Sequence, residues 1–114
     1  MDTYKVSLLS DVGKTEMGEL EKRQPVGKQV LVKVAATAIC TLEQRIYKGV
    51  MKRYPFAGGH EMAGTVEAVG EQVKSLKPGD KVAARLLNSC GECYYCRNGH
   101  ENLCVVSFIA ETHP

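Results

Sequence analysis

Four of the five cysteines in this 114-residue chain fall in the stretch CGECYYCRNGHENLC, from Cys90 to Cys104. Their spacing, C-x2-C-x2-C-x7-C, lets tight turns at Gly91 and Gly99 bring Cys90, Cys93 and Cys96 around one ion, and Cys104 closes a tetrahedron. Zinc suits such a closed tetrathiolate set, and with no open position its role there is structural. An iron–sulfur cluster is the competing reading, because C-x2-C-x2-C also begins the bacterial ferredoxin ligand run. That run puts its last cysteine after three residues and follows it with proline. Here seven residues intervene and Val105 follows, so zinc takes precedence. His100 lies inside the lobe as an alternative donor, but four cysteines complete the set and a solvated loop histidine is the simpler assignment. Arg97 is expected in solvent, where it softens the negative charge of a tetrathiolate, and Tyr94 and Tyr95 are expected to pack at the base of the loop.

The fifth cysteine, Cys40, stands fifty residues upstream of the lobe, and a second chemistry-bearing stretch, AGGHEMAGTVEAVG, runs from Ala57 to Gly70. It sets His60 and Glu61 between glycines at the entry to a strand. If that strand neighbours the one ending at Cys40, then Cys40, His60 and Glu61 offer soft, borderline and hard donors to one ion. On spacing alone the alternative stands beside it, with Cys40 a small buried hydrophobe and His60 a hydrogen-bonded core residue.

Strands must position both groups. Tyr4 to Leu9 alternates with period two, and the charged Gly18 to Gln24 suits an exposed edge strand, ending in a turn at Pro25 and Gly27. From Gln29 to Cys40, Val30, Val32, Val34, Ala36, Ala38 and Cys40 share one face of an extended segment, which puts Cys40 at the end of the longest strand's core face. Thr41 and Gln44 have the spacing of a capping box, Leu42 and Ile46 lie one helical turn apart, and Gly49 fits a stop, which predicts one short helix. Gly64 to Val69 and Lys81 to Leu87 read as further strands, and Pro78-Gly79 between them as the centre of a type II turn. The pattern is that of a small all-β barrel or sandwich, with helical signal confined to one segment.

Composition bounds the partners. A length of 114 residues allows one domain, and 44% hydrophobic with 25% charged residues is the balance of an ordinary globular chain. Fifteen basic and 13 acidic residues are spread without the long basic run that nucleic-acid binding needs. No apolar run approaches the roughly 18 residues of a membrane span, and the amino terminus lacks the plan of a signal peptide, so a cytoplasmic location is expected. Thiols stay reduced there, which favours metal over disulfides.

The stretch GHEMAGTVEAVGEQVKSLKPGDKV, Gly59 to Val82, resembles the signature of the zinc-containing alcohol dehydrogenases of the medium-chain dehydrogenase/reductase superfamily, G-H-E-x-x-G followed by V-G and a later G-D-x-V. Cys40 upstream and the four-cysteine lobe downstream stand in that family's order, so the resemblance covers nearly everything from Val30 onward. It implies a mainly β, GroES-like, partly open barrel with a short helix and a zinc-binding loop lobe. It also implies a catalytic zinc held by Cys40 and His60 with Glu61 as the neighbouring carboxylate, and a structural zinc held by Cys90, Cys93, Cys96 and Cys104. The implied chemistry is hydride transfer between an alcohol or polyol and NAD or NADP, run backwards on a carbonyl, with zinc as Lewis acid.

Two departures qualify what the resemblance implies. Many relatives follow the first cysteine with Gly, Ser or Thr, Asp and, two further on, His; here the hydroxyl position is Leu42 and the histidine position Arg45. Thr41 offers a hydroxyl one residue early, about 100° round a helix, and is read as the helix cap rather than a proton relay, which leaves the proton to Glu61, a water chain or a group outside the chain. The glycine-rich turn of a dinucleotide-binding domain is not found, and the closing FIAETHP reads as continuing sequence. The expectation is therefore an amino-terminal catalytic-domain fragment, residues 1–114, inactive alone, of a longer enzyme, for which the resemblance implies a homo-oligomer formed largely through the absent domain. The alternative of another class is a free-standing zinc module that binds a partner without catalysis.

Overall fold

The computed structural model describes residues 2–85, 87–105 and 108–109, with residues 87, 88, 108 and 109 described by backbone only. Thr3–Asp11 (β1) and Lys14–Glu21 (β2) form an antiparallel hairpin about Val12 and Gly13, with a register shift between Leu9 and Asp11. The first strand is where alternation puts it. The second begins four residues earlier than Gly18 and ends at Glu21, short of Gln24. Its opening residues are all exposed, so no hydrophobic alternation marks them, and backbone pairing with β1 sets the strand. The turn expected at Pro25 and Gly27 is present, closed by the Gln29 N–H donating to the Val26 carbonyl at 3.0 Å.

Val30–Ala38 (β3), Glu61–Val69 (β4) and Lys81–Ala83 (β5) make the principal sheet, antiparallel in the order β3-β4-β5. The single core face expected from Val30 through Cys40 does not run through. Register shifts between Leu31 and Val32 and between Val34 and Ala36 interrupt the alternation, and the strand stops at Ala38. Between β4 and β5 the expected turn forms, with Gly79 at φ +96 and the Asp80 N–H on the Lys77 carbonyl. The strand expected over Lys81 to Leu87 is only three residues long, because Arg85 leaves the sheet to bond Glu101 and Ser89. Leu87–Asn88 (β6) and Phe108–Ile109 (β7) pair separately, and the rest of FIAETHP lies outside the described residues. The fold is thus mainly β, with three small sheets among the described residues that do not close into a full barrel, the partly open form that the resemblance implies.

One helix of two turns, Thr41–Tyr47 (α1), follows β3. Its cap is Cys40 rather than Thr41, one residue before the expected position, and the reaching carboxylate is Glu43 rather than the Gln44 side chain. Gly49, at φ +81, ends it as expected. Ile46 is fully buried, and the loop beyond α1 is pinned to the hairpin: Gly13 donates to the Tyr47 carbonyl, and Leu9 and Phe56 exchange backbone bonds of 2.8 and 2.9 Å. The buried set is small, with Ile46, Val66, Cys104 and His60 at its centre, while Val34 and Ile39 remain exposed. No helix among the described residues is long and apolar enough to cross a membrane.

Candidate metal centres

The four lobe cysteines converge. One sulfur from each of Cys90, Cys93, Cys96 and Cys104 lies within 4.8 Å of the others, and none is in a disulfide. The Cys90 and Cys96 sulfurs are 3.9 Å apart. Four zinc–sulfur bonds of about 2.3 Å on a tetrahedron put sulfurs about 3.8 Å apart, a separation that Cys90 and Cys96 already match. Backbone amides aim at the same sulfurs: Glu92 and Cys93 donate to Cys90 Sγ at 3.4 and 3.2 Å, Cys96 to Cys93 Sγ at 3.5 Å, and Cys90 to Cys104 Sγ at 3.4 Å. Such donors favour thiolate over thiol.

A second short helix, Tyr94–Arg97 (α2), and a 3-10 turn, Glu101–Leu103, shape this lobe, neither of them foreseen from the sequence. Cys93 is the cap of α2, its sulfur doing what a serine oxygen does elsewhere, which is why no cap signal shows in the sequence. His100 is exposed and outside the sulfur cluster, and Arg97 is exposed. Tyr94 and Tyr95 do not pack under the loop: they stack edge to face, with centroids 5.5 Å apart, and Tyr94 is 67% exposed. Arg85 holds the lobe to the exit of β5 through Glu101 and Ser89 at 3.0 and 3.1 Å.

The thiols differ in their protonation. Backbone N–H groups of Cys96 and Val105 bring Cys93 down to about 6, whereas desolvation pushes Cys96 up to about 12. At neutral pH Cys93 is therefore already thiolate while Cys96 keeps its proton, which an incoming ion must displace. Zinc loading is expected to release at least one proton per lobe at pH 7, and more as pH falls below about 6, where Cys93 is protonated too. Affinity then falls as pH falls. Calorimetry in two buffers of different ionisation enthalpy measures the proton count, and zero protons at pH 7 would contradict the assignment of Cys96.

The second group forms where α1 begins and β4 is about to start. Cys40, Glu43 and His60 bring one donor each within 4.8 Å of one another. His60 is only 7% exposed, with Nδ1 3.3 Å from Glu43 Oε1. Glu43 Oε1 also accepts the Gly59 N–H at 3.0 Å, and Oε2 accepts the Cys40 N–H at 3.0 Å. Both carboxylate oxygens are thus engaged by the two segments that carry the donors. The neighbouring glycine makes room for this: a Cβ on Gly58 would lie 2.7 Å from Glu43 Cγ.

The structure brings Cys40 and His60 together as the sequence led one to expect, but the carboxylate gathered with them is Glu43. Glu61 follows His60 on the opposite face of the strand, exposed, opposite Ala38 in the register and beside an open groove of about 560 Å³. The signal for Glu43 was its i, i+3 spacing from Cys40, hidden by assigning the cap one residue late. Leu42 is half-buried and offers no hydroxyl; Thr41 is exposed at the first helical position.

Over residues 27–112 the chain matches the alcohol dehydrogenase GroES-like domain. It is 39% identical over 102 residues to the NDMA-dependent alcohol dehydrogenase of Amycolatopsis methanolica, taking in 88% of this chain and 28% of that one. Among solved structures it is similar to an alcohol dehydrogenase from E. coli complexed with NADH, with a TM-score of 0.78 and 35% identity over 95% of this chain and 32% of that one. It is also similar to the cobalt- and zinc-bound thermostable alcohol dehydrogenase of Pyrobaculum aerophilum, with a TM-score of 0.80 and 27% identity over 92% of this chain and 33% of that one. The chain thus spans a third or less of the length of these relatives. With the GroES-like architecture, the paired donor groups and these matches together, the chain belongs to the zinc-containing alcohol dehydrogenase family as its GroES-like domain.

Proposed function

We propose that residues 1–114 are the catalytic, zinc-binding domain of an enzyme that passes a hydride between a small alcohol or polyol and NAD or NADP, with residues 90–104 as its structural zinc lobe. The observation that carries this reading is the convergence of Cys40, Glu43 and His60, from segments twenty residues apart, apart from the closed cysteine set. Cys40 Sγ and His60 Nε2 are the ligands this chain offers, and a zinc ion there supplies Lewis acidity for an alcohol or carbonyl oxygen. Glu43 holds the Nδ1 side of His60 so that the Nε2 lone pair is free for the ion, and the Cys40 and Gly59 amides hold Glu43 in turn. Glu61, which the resemblance makes the neighbouring carboxylate, stands exposed on the groove side and outside the group of Cys40, Glu43 and His60.

The nicotinamide cofactor is bound outside these residues, for no G-x-G-x-x-G occurs among them, and this chain alone is inactive. The enzyme works in the cytoplasm, where the thiols remain reduced. Joined to the nucleotide-binding domain of a relative, the chain is expected to oxidise alcohols with NAD or NADP, read by the absorbance of the reduced nicotinamide. His60→Ala in that protein is expected to lower kcat/KM by about a thousandfold or more, since several kcal/mol of Lewis-acid stabilisation go with the ion. A zinc-loaded protein with no turnover over a broad alcohol panel would sink the reading.

A further inference from the structure

His60 lies where the sheet no longer holds the backbone. The ladder between β3 and β4 ends at the pair Ala38 and Glu61, so His60 sits one residue beyond the last rung. Two glycines precede it, and Gly59 has φ +105, a conformation open to glycine but not one that glycine holds by preference. A metal ligand at the end of such a segment has to be aimed by side chains from elsewhere. Glu43 supplies one hold from α1, through the Gly59 N–H and His60 Nδ1. The second comes from β3. Thr37 Oγ1 donates to the Glu61 carbonyl at 3.4 Å, and a Cβ on Gly59 would lie 3.1 Å from that same oxygen but 3.9 Å from Thr37 Cβ and Cγ2. The hydroxyl, rather than the methyl, is thus the group turned to the residues on both sides of His60.

We infer that Thr37 is a positioning residue of the Cys40/His60 metal site: its hydroxyl fixes the Gly59 to Glu61 backbone from β3 while Glu43 fixes it from α1, and the two together aim the His60 ring. The inference rests on the metal-site reading of that group. Thr37 stands three residues before Cys40. One hydroxyl therefore joins the segment that carries the sulfur donor to the segment that carries the imidazole, and it acts on the ion only through the backbone it holds. The hydrogen bond is long and solvent-exposed, which sets the expected effect at the low end of what outer partners of metal ligands contribute. As an exposed strand residue alone, any β-branched side chain would serve at this position, so valine isolates what the hydroxyl does.

The test compares Thr37→Val, which keeps the branched shape and removes the hydroxyl, with Thr37→Ser, which keeps the hydroxyl. In Thr37→Val the affinity for zinc at Cys40 and His60, read by chelator competition, is expected to fall about three- to tenfold with the four-cysteine lobe unaffected. In the metal-free chain the Gly59 and His60 amides of that variant are expected to exchange with solvent several-fold faster. Thr37→Ser is expected to lie within about twofold of the parent in both measurements, because the donor is restored. Denaturant midpoints are taken on the same samples, and a loss of affinity that merely tracks a loss of stability across the two variants makes Thr37 an ordinary strand residue and overturns the inference. A valine variant that binds zinc as the parent does overturns it as well, and so does a serine variant that fails as valine does. A parent chain that takes no zinc at Cys40 and His60 refutes the metal reading itself, whereas a parent that loads normally beside an unaffected valine variant refutes this inference alone.

Discussion

Replacing Cys96 by serine is expected to remove about one zinc ion per chain and to unfold residues 90–104, leaving the β3-β4-β5 sheet in place. The lobe has almost nothing else to hold it. Its helical pieces are four and three residues long, far below the length at which a helix persists unaided, and Cys104 is its one buried residue among those described. A structural zinc contributes about 10–16 kcal/mol of binding free energy in small domains, and that energy is folding energy where the site does not exist in the open chain. Serine at neutral pH supplies a hydroxyl in place of a thiolate, so the tetrahedron loses one corner. Element-resolved mass spectrometry counts the ions, and amide spectra locate the loss. Unchanged zinc, or iron in its place, would overturn the structural assignment. Collapse of β4 amides as well would show that the lobe and the sheet fold as one unit.

The parts of this molecule legible from sequence are those set by covalent spacing. Four cysteines in C-x2-C-x2-C-x7-C can hardly avoid one another, and Pro78-Gly79 writes its own turn in two residues. Period-two alternation located β1 and the body of β3 and β4 for the same local reason. What escaped was set by pairing and by sulfur. The opening of β2 is polar throughout and becomes a strand only because β1 lies beside it. The bulge near Ala36 cannot be read from a run of small residues, yet it ends the common face before Cys40. Cysteine caps α1 and α2, at Cys40 and Cys93, and since cysteine is not among the usual cap residues the sequence points to a start one residue late at α1 and to none at α2. That one-residue offset matters most. It gave the capping role to Gln44 and so concealed Glu43, the carboxylate that joins the two halves of the second site.

Substituting Glu43 by alanine is expected to destabilise the chain by about 2–5 kcal/mol and to weaken zinc at Cys40 and His60 by about 10–100-fold, with the cysteine lobe unaffected. The side chain is 13% exposed and accepts two backbone N–H groups, from Cys40 and Gly59, which alanine would leave without partners. Each such loss costs about 1–3 kcal/mol. The effect on the ion follows a different path: without the carboxylate, His60 Nδ1 loses its neighbour at 3.3 Å and the ring is free to turn its other nitrogen away. Glu43→Gln separates the two. It keeps the length and one accepting oxygen but sets an N–H₂ against a backbone donor, so about half the stability loss is expected, with intermediate zinc affinity. Gly58→Ala approaches from the other side, because its methyl would meet Glu43 Cγ at 2.7 Å and displace a carboxylate anchored through both oxygens; a loss of about 1–3 kcal/mol in the same direction is expected. Denaturant midpoints and zinc competition measure the two effects separately. If Glu43→Ala lowers stability and leaves zinc affinity unchanged, the carboxylate is a helix cap and nothing more; if Glu43→Gln loses the ion as completely as alanine does, Glu43 binds the metal directly rather than orienting the residues that do.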